Sequence, residues 1–420
     1  MGSEKKEGKG LIPVMISGEF SSSSSPGALS NSEKERRASL VEKAISIYSP
    51  SGKESEFASF IYEELKRSGF DPRFDSAGNV ICETGSRANS LLLLLCGHMD
   101  TVAGELPVRR EGSLIYGRGA TDAKGALMSI LFAFEDFASL MEKSNDDDVR
   151  GRRRRTLSSS RLAFAAVVNE EGDSSGLNQL IRDSLKADFA IFGEPGGLDK
   201  ITIGYRGHIP LGITVETQEV HASAPWLAQN STEILFSIYS RLKSSLDTTA
   251  LVERKSDGVS IALTRILGGR SHNVTPGRTE ASLDVRIPFG MTTSSIKANI
   301  VSIVREFEMS FKGSKISLDF GEPTEPYRVD VSSDIVRALN RAMRKSGKLK
   351  PSFITKSGTG DMNSYAIAFG AEAITYGPGN TKLSHTTEEV VDIEEVFACS
   401  EILESAIHEL FHMCENHIDE

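Results

Sequence analysis

The chain has 420 residues, a formal net charge of −10 and an apolar fraction of 39%, enough to bury more than one core, so two domains are expected. The acidic balance argues against nucleic acid as a partner. The longest uninterrupted apolar run, Leu91 to Cys96, falls far short of the roughly 20 residues of a membrane span, so no membrane partner is expected either.

Residues 1–32 are rich in Ser, Gly and Lys without apolar periodicity, which predicts a disordered tail. Within it, Leu11 to Ile16 is too short for a secretory core and contains Pro13. Cys82, Cys96, Cys399 and Cys414 are scattered with no C-x-x-C pair, as expected of reduced thiols in a cytoplasmic protein.

Helical spacing returns with Leu40, Ala44, Ile45 and Tyr48, and a second helix is predicted near Glu54 to Arg67. The apolar runs Leu91–Leu95, Leu162–Val168 and Phe189–Phe192 read as buried strands. Their alternation with helices up to Gly204 predicts an α/β fold: a mixed, mostly parallel sheet with helices on both faces. Between the first two runs, the basic cluster Arg150–Arg155 follows an Asp triplet and precedes serines, the composition of a solvated loop.

The pattern changes after Gly204. Strands at Ile209–Val215, Gly258–Leu267 and Thr279–Ile287, with helices near Thr232–Leu246 and Ser294–Phe307, predict a small α+β unit at 205–320. The α/β pattern resumes after Tyr327, with helices near Ser333–Lys345 and Glu394–Cys414. The first unit would thus comprise 33–204 and 321–420.

Five segments end in residues that bind metal well: Cys96-Gly-His98-Met-Asp100, Ala120-Thr-Asp122-Ala-Lys124-Gly125, Asn169-Glu170-Glu171-Gly172, Gly193-Glu194-Pro195 and Leu383-Ser-His385-Thr-Thr387. Three directly follow the buried-strand runs, and in open α/β sheets ligands collect where strands finish. His98 and Asp100 share one face of an extended run, which suits an imidazole whose second nitrogen is held by an acid. Glu170 and Glu171 are adjacent acids that a cation would relieve of repulsion, one as ligand and one as general base. Singly, each has an ordinary alternative: a core histidine for His98, an N-cap for Asp122, exposed loop acids for Glu170 and Glu171. Together they use oxygen and imidazole and no Cys, which favours a hydrolytic zinc, cobalt or manganese centre over a structural thiolate site.

A second motif, His408-Glu409-Leu-Phe-His412, satisfies H-E-x-x-H. On a helix, however, Val396, Leu403, Ile407, Leu410 and Cys414 form the apolar stripe, placing both histidines on the opposite face toward water. Little chain remains to supply a third ligand.

The five segments, in this order, resemble the co-catalytic dizinc aminoacylase and carboxypeptidase G family of metallopeptidases. The resemblance implies two divalent metal ions, zinc or cobalt. His98, Asp122 and Glu194 would hold one, and Glu171, the bridging Asp122 and His385 the other. It implies Glu170 as general base and Asp100 as the acid that buttresses His98. The inserted unit is similar to the family's ferredoxin-like lid and dimerisation domain. There His221, in Val220-His-Ala-Ser223, would reach the neighbouring subunit's site to stabilise the oxyanion of a homodimer. Asn273, in His272-Asn-Val-Thr-Pro276, and Arg286, in Leu283-Asp-Val-Arg286, would hold the substrate carbonyl and carboxylate, the latter through a planar fork.

Gly193-Glu-Pro-Gly-Gly197, Ile201-Thr-Ile-Gly-Tyr-Arg-Gly207 and Lys356-Ser-Gly-Thr-Gly-Asp-Met-Asn363 further resemble the branch that releases lysine or ornithine from the LysW amino-group carrier protein, relatives of acetylornithine and acetyl-lysine deacetylases. This implies an amide hydrolase whose substrate is an acidic carrier protein or a small acylated diamino acid, with Asp361 meeting the substrate's side-chain amine. Gly360 departs from the serine of that branch, and the arginine loop and N-terminal tail are additions. An acidic carrier calls for a basic rim, for which Lys200, Arg206, Arg270 and Arg278 are the candidates.

Overall fold

A computed structural model describes residues 30–85, 90–144, 160–347 and 349–418. The expected tail up to residue 29 and the Arg150–Arg155 loop lie outside the described residues. The helices are α1 (Asn31–Ser46), α2 (Ser55–Arg67), α3 (Gly125–Ser144), α4 (Ser175–Arg182), α5 (Ser231–Leu246), α6 (Thr293–Ser310), α7 (Asp334–Lys345), α8 (Asp361–Phe369) and α9 (Ile393–Ile418). Helix α1 starts before the expected end of the tail because Ser30 caps it, its Oγ accepting the Glu33 N–H at 3.2 Å.

From Leu40 onward the chain is one compact unit. Its strands are β1 (Arg73–Phe74), β2 (Val80–Gly85), β3 (Leu91–His98), β4 (Arg109–Glu111), β5 (Leu114–Tyr116), β6 (Ser160–Val167), β7 (Phe189–Gly193), β8 (Lys200–Tyr205), β9 (Gly207–Glu216), β10 (Ser260–Gly268), β11 (Arg278–Ile287), β12 (Lys315–Phe320), β13 (Tyr327–Arg328), β14 (Ser352–Lys356), β15 (Glu372–Tyr376) and β16 (Val390–Asp392).

The leucine run sits at the centre of a nine-stranded sheet in the order β1-β2-β6-β3-β7-β15-β8-β13, with β14 also on β8. Strands β6, β3, β7 and β15 run parallel. Being covered on both faces, they are continuous apolar runs rather than alternating ones. Leu92, Leu94 and Cys96 join a core with Leu177 and Leu180 of α4 and Tyr365 of α8. The opposite face meets α3 so closely that a Cβ at Gly97 would stand 3.1 Å from Leu127 and Ile130. Helices therefore cover both faces, as the sequence predicts.

The second sheet, β10-β11-β9-β12, is wholly antiparallel. Burial alternates residue by residue along β9 and β11. The inward set, including Ile209, Leu211, Leu283 and Val285, packs on Ile234 and Ile238 of α5 and Ile296 and Ile300 of α6. The chain order β9-α5-β10-β11-α6-β12 is the βαββαβ arrangement of a ferredoxin-like unit. Among the described residues no helix is long and apolar enough to cross a membrane.

Candidate metal centre

The parallel strands deliver the candidate ligands to one edge. His98 closes β3 opposite Val167 of β6, after which the chain turns into Glu170 and Glu171. Cys96 of β3 is opposite Phe192 of β7, so the next residues in phase are His98 and Glu194. Tyr376 of β15 is opposite Gly193, and the loop beyond it carries His385.

His98 is 2% exposed. Its Nδ1 lies 2.9 Å from the main-chain oxygen of Asp100, which can only accept, so Nδ1 carries the proton. The Asp100 carboxylate, expected to buttress this ring, stands 3.5 Å from it. Its oxygens are engaged elsewhere, accepting the N–H groups of Glu170 and Glu171 at 2.9 Å each and the Ser51 hydroxyl at 2.7 Å. Asp100 thus shapes the turn that presents both glutamates.

The other nitrogen, His98 Nε2, is buried without a hydrogen-bond partner among the described residues and lies 3.5 Å from Asp122 Oδ1 and 4.0 Å from Glu194 Oε1. Asp122 is extended (φ −125°, ψ 99°) in an irregular turn, and α3 starts only at Gly125. Its carboxylate faces the histidines instead of capping the helix. Gly119 makes this turn possible: its φ is 82°, and a Cβ there would meet Thr101 at 2.7 Å. Asp122 Oδ2 is 3.3 Å from His385 Nε2, which in turn is 2.7 Å from Glu171 Oε1.

These spacings fit divalent ions. Donors each about 2.0–2.2 Å from a tetrahedral ion lie roughly 3.3–3.6 Å apart, the range between His98, Asp122 and His385. The orphaned His98 Nε2 aimed at two carboxylates is the clearest sign, since a buried ring nitrogen without a hydrogen-bond partner is costly unless a cation lies between it and those acids. Ligand atoms of His98, Asp122 and Glu171 all lie within 4.8 Å of one another, and Glu194 and His385 adjoin this group.

The electrostatics agree. Burial, with the neighbouring charges of Asp361, Glu171 and Asp122, pushes the Glu170 carboxyl up to about 8. Burial, with Glu170 and Asp122, does the same to Glu194. Hydrogen bonding to Asp122, then the charge of Glu171, raises His385 to about 9. Burial pushes Asp122 upward, but His385 and His98 outweigh it and hold this acid well below the usual carboxylate range. Crowded acids that retain protons in the absence of cations describe a site built for positive charge.

The remaining predicted residues divide. Asp361, at the start of α8, is 6% exposed, and both its oxygens are buried without a hydrogen-bond partner among the described residues. Burial pushes its carboxyl up to about 7, with the nearby Ser174 pulling the other way. It belongs to the acid cluster through the charges of His98, Glu194 and Asp100. Beside it, a Cβ at Gly360 would stand 3.7 Å from Glu170 Oε1, so the space of the absent serine side chain borders Glu170. Arg286 reaches this loop through Nη1 to Thr359 Oγ1 at 3.3 Å, while Nε and Nη2 pair with Asp284 at 2.7 and 2.9 Å. His221 and Asn273 are exposed. His221 Nδ1 is held by Ser223 Oγ at 2.7 Å, and Asn273 Oδ1 accepts from Ser271 at 2.6 Å.

One member of the expected basic rim, Arg206, needs correction. Arg206 is only 5% exposed because its guanidinium ties together the carbonyls of Gly258 and Arg286 and the Ser260 hydroxyl. Lys200 pairs with Asp199, Arg270 with Glu219, and Arg278 with Glu216 and Glu280. The H-E-x-x-H histidines sit on α9 and are no part of the ligand group, but His408 does not simply face water. Its ring is half-buried, edge-on to Phe137 at 4.7 Å, and Glu409 pairs with Arg341 and Lys345.

Two supporting residues escaped the sequence reading. Ser51 holds Asp100, and the buried Glu54 accepts the N–H groups of Gly52 at 2.8 Å and Asn169 at 3.1 Å, the latter opening the Glu170 turn. Both lie in Pro50-Ser-Gly-Lys-Glu54, a stretch that reads as an ordinary turn.

A parallel sheet that gathers imidazoles and carboxylates at its carboxyl edge, beside a ferredoxin-like unit, defines a metal-dependent hydrolase of amide bonds. The family model for peptidase family M20/M25/M40 matches residues 94–409, and the chain belongs to that family. A Pyrobaculum aerophilum protein provisionally named LysW-lysine/LysW-ornithine hydrolase is 34% identical over 88% of this chain and 96% of its own. The LysW-lysine/LysW-ornithine hydrolase of Sulfurisphaera tokodaii is 31% identical, over 88% and 94%. The fold is that of the Bacillus subtilis YXEP protein, a dinuclear metal-binding peptidase of family M20, at a TM-score of 0.67 and 14% identity over 90% of this chain and 98% of that one.

Proposed function

We propose that the chain releases lysine or ornithine from an amino-group carrier protein of the LysW type by hydrolysing the linking amide. The observation that carries this is the buried, partnerless His98 Nε2 facing Asp122 and Glu194, joined through Asp122 to His385 and Glu171. The names of relatives that match nearly end to end supply the substrate.

His98, Asp122 and Glu194 would hold one divalent ion and Glu171, Asp122 and His385 the second, zinc by preference and cobalt as substitute. Bound there, the ions supply Lewis-acid activation of a water and of the scissile carbonyl. Glu170 would take a proton from the attacking water and return it to the leaving amine. Asp100 fixes the angle of approach through the Glu170 and Glu171 N–H groups. Arg286 receives the free carboxylate of the leaving amino acid, exchanging Asp284 and Thr359 for it. Asp361, its buried oxygens without a hydrogen-bond partner, receives the side-chain amine.

The working molecule is a cytoplasmic homodimer. Residues 33–204 and 321–420 form its catalytic domain and 205–320 its lid and dimerisation domain. Support for pairing comes from strand β10, bonded among the described residues only to β11 of its sheet, and from the exposed Ile266, Leu267 and Phe236 of the same unit. His221 and Asn273, also exposed there, would complete the neighbouring subunit's site, His221 by steadying the oxyanion and Asn273 by holding the carbonyl.

A side-by-side assay of carrier-linked lysine, carrier-linked ornithine and N-acetylornithine with zinc- or cobalt-loaded protein tests the reading. The carrier-linked substrates should be cleaved with the higher kcat/KM. A wide preference for the acetylated small molecule would reject the carrier.

A further inference from the structure

Arg118 and Glu389 form a buried ion pair, Nη1 to Oε1 at 2.5 Å, with the two side chains 8% and 1% exposed. Neither residue belongs to the proposed ligand set. The second carboxylate oxygen, Oε2, accepts three N–H groups of one turn: Gly119 at 2.9 Å, Thr121 at 3.3 Å and Asp122 at 3.4 Å. The Arg118 guanidinium donates to the main-chain oxygen of Thr386 at 3.0 Å and, through Nε, to that of Gly104 at 2.7 Å. One half of the pair thus grips the backbone of Asp122, and the other grips the residue next to His385. Pairing of β16 with β5 and a reciprocal bond between Thr121 Oγ1 and Val390 lock the same two segments in register.

Asp122 and His385 are contributed by segments far apart in the chain, yet their facing atoms must stay 3.3 Å apart. Each sits on strained or irregular backbone: His385 has φ 64°, and Asp122 interrupts a helical turn. A buried ion pair with one partner removed is costly, so the pair is a stiff joint.

We propose that Arg118 and Glu389 are positioning residues that set the spacing between Asp122 and His385 and thereby tune affinity and geometry at the ion those two share. The proposal rests on the metal assignment above. It adds that ligand placement there is controlled from outside the ligand set by one charge pair.

Three variants test it: Glu389→Gln, which loses the charge and one acceptor; Glu389→Asp, which keeps the charge; and Arg118→Lys, which keeps the charge but cannot span Thr386 and Gly104. The readouts are zinc affinity by chelator competition and the visible absorption spectrum of cobalt-loaded protein, with the melting temperature of the metal-free form as a folding control. Glu389→Gln should weaken zinc binding roughly 10- to 100-fold and shift the cobalt bands, with Glu389→Asp recovering most of both. Arg118→Lys should move the same readouts in the same direction, and it decides the matter should Glu389→Gln fail to fold. Folded variants with wild-type affinity and cobalt spectrum would overturn the proposal. A wild-type chain that takes up neither zinc nor cobalt would instead overturn the metal assignment and the proposal with it.

Discussion

Asp100 accepts the backbone N–H of Glu170 at 2.9 Å, and through its other oxygen that of the following residue at the same distance. A side chain at the end of one strand thereby aims the residues that follow the neighbouring strand. In Asp100→Asn one of these N–H groups, or the Ser51 hydroxyl, would face an amide donor. The cost should be about 1–3 kcal/mol by denaturant unfolding of the metal-free protein. Zinc affinity should fall as well, because Glu171 moves with the turn. An Asn variant equal to wild type in both would show that the turn holds without Asp100.

In the proposed assignment Glu170 borders the ligand set without belonging to it. Glu170→Gln should lower kcat roughly 100- to 10,000-fold. Metal content, measured by elemental analysis, should remain at the wild-type value. Loss of metal together with activity would make Glu170 a ligand instead, and full activity would remove it from the reaction.

The metal-free protein should become less stable as pH rises. Glu170 and Glu194 move from about 4.5 unfolded to about 8 folded, so across that interval the folded state holds more protons and stability falls with increasing pH. His385, raised from 6.5 to about 9, acts in the same sense: its contribution is complete below 6.5 and disappears as pH climbs through 9. Asp122, held low, has given up its proton below this window. Calorimetry of chelator-treated protein between pH 6.5 and 9 should therefore show a falling melting temperature. Zinc, which displaces those protons, should raise it by an increment that grows with pH. A metal-free melting temperature that rises over this interval would contradict the assignment of these shifts.

Replacing His408 and His412 by Ala together should leave zinc content and turnover unchanged. The expected cost is about 0.5–1.5 kcal/mol of stability, from the edge contact of His408 with Phe137. Loss of zinc in the double variant would revive the H-E-x-x-H reading.

What the sequence made legible follows periodicity and local chemistry. The parallel strands were readable because burial on both faces leaves unbroken runs such as Leu91–Leu95, and three of the five candidate ligand segments because they directly follow such runs. Relations between distant segments were not readable. Arg206 looked like a surface cation, since sequence carries no trace of the three oxygens that bury it. Asp100 was expected to serve His98 through its carboxylate, which stands 3.5 Å from the ring, but H-x-D spacing cannot show that the main-chain oxygen lies closer or that the carboxylate also serves Glu170. Glu389 was equally silent, a second glutamate in Thr-Thr-Glu-Glu until the fold brings it to Arg118.

The most direct test of the paired-ion centre is the anomalous scattering of a crystal grown with zinc, measured on either side of the zinc absorption edge. Two peaks roughly 3.5–4 Å apart are expected, one among His98, Asp122 and Glu194 and one among Glu171, Asp122 and His385. No zinc peak at these residues, or a peak at His408 and His412 in their place, would contradict it.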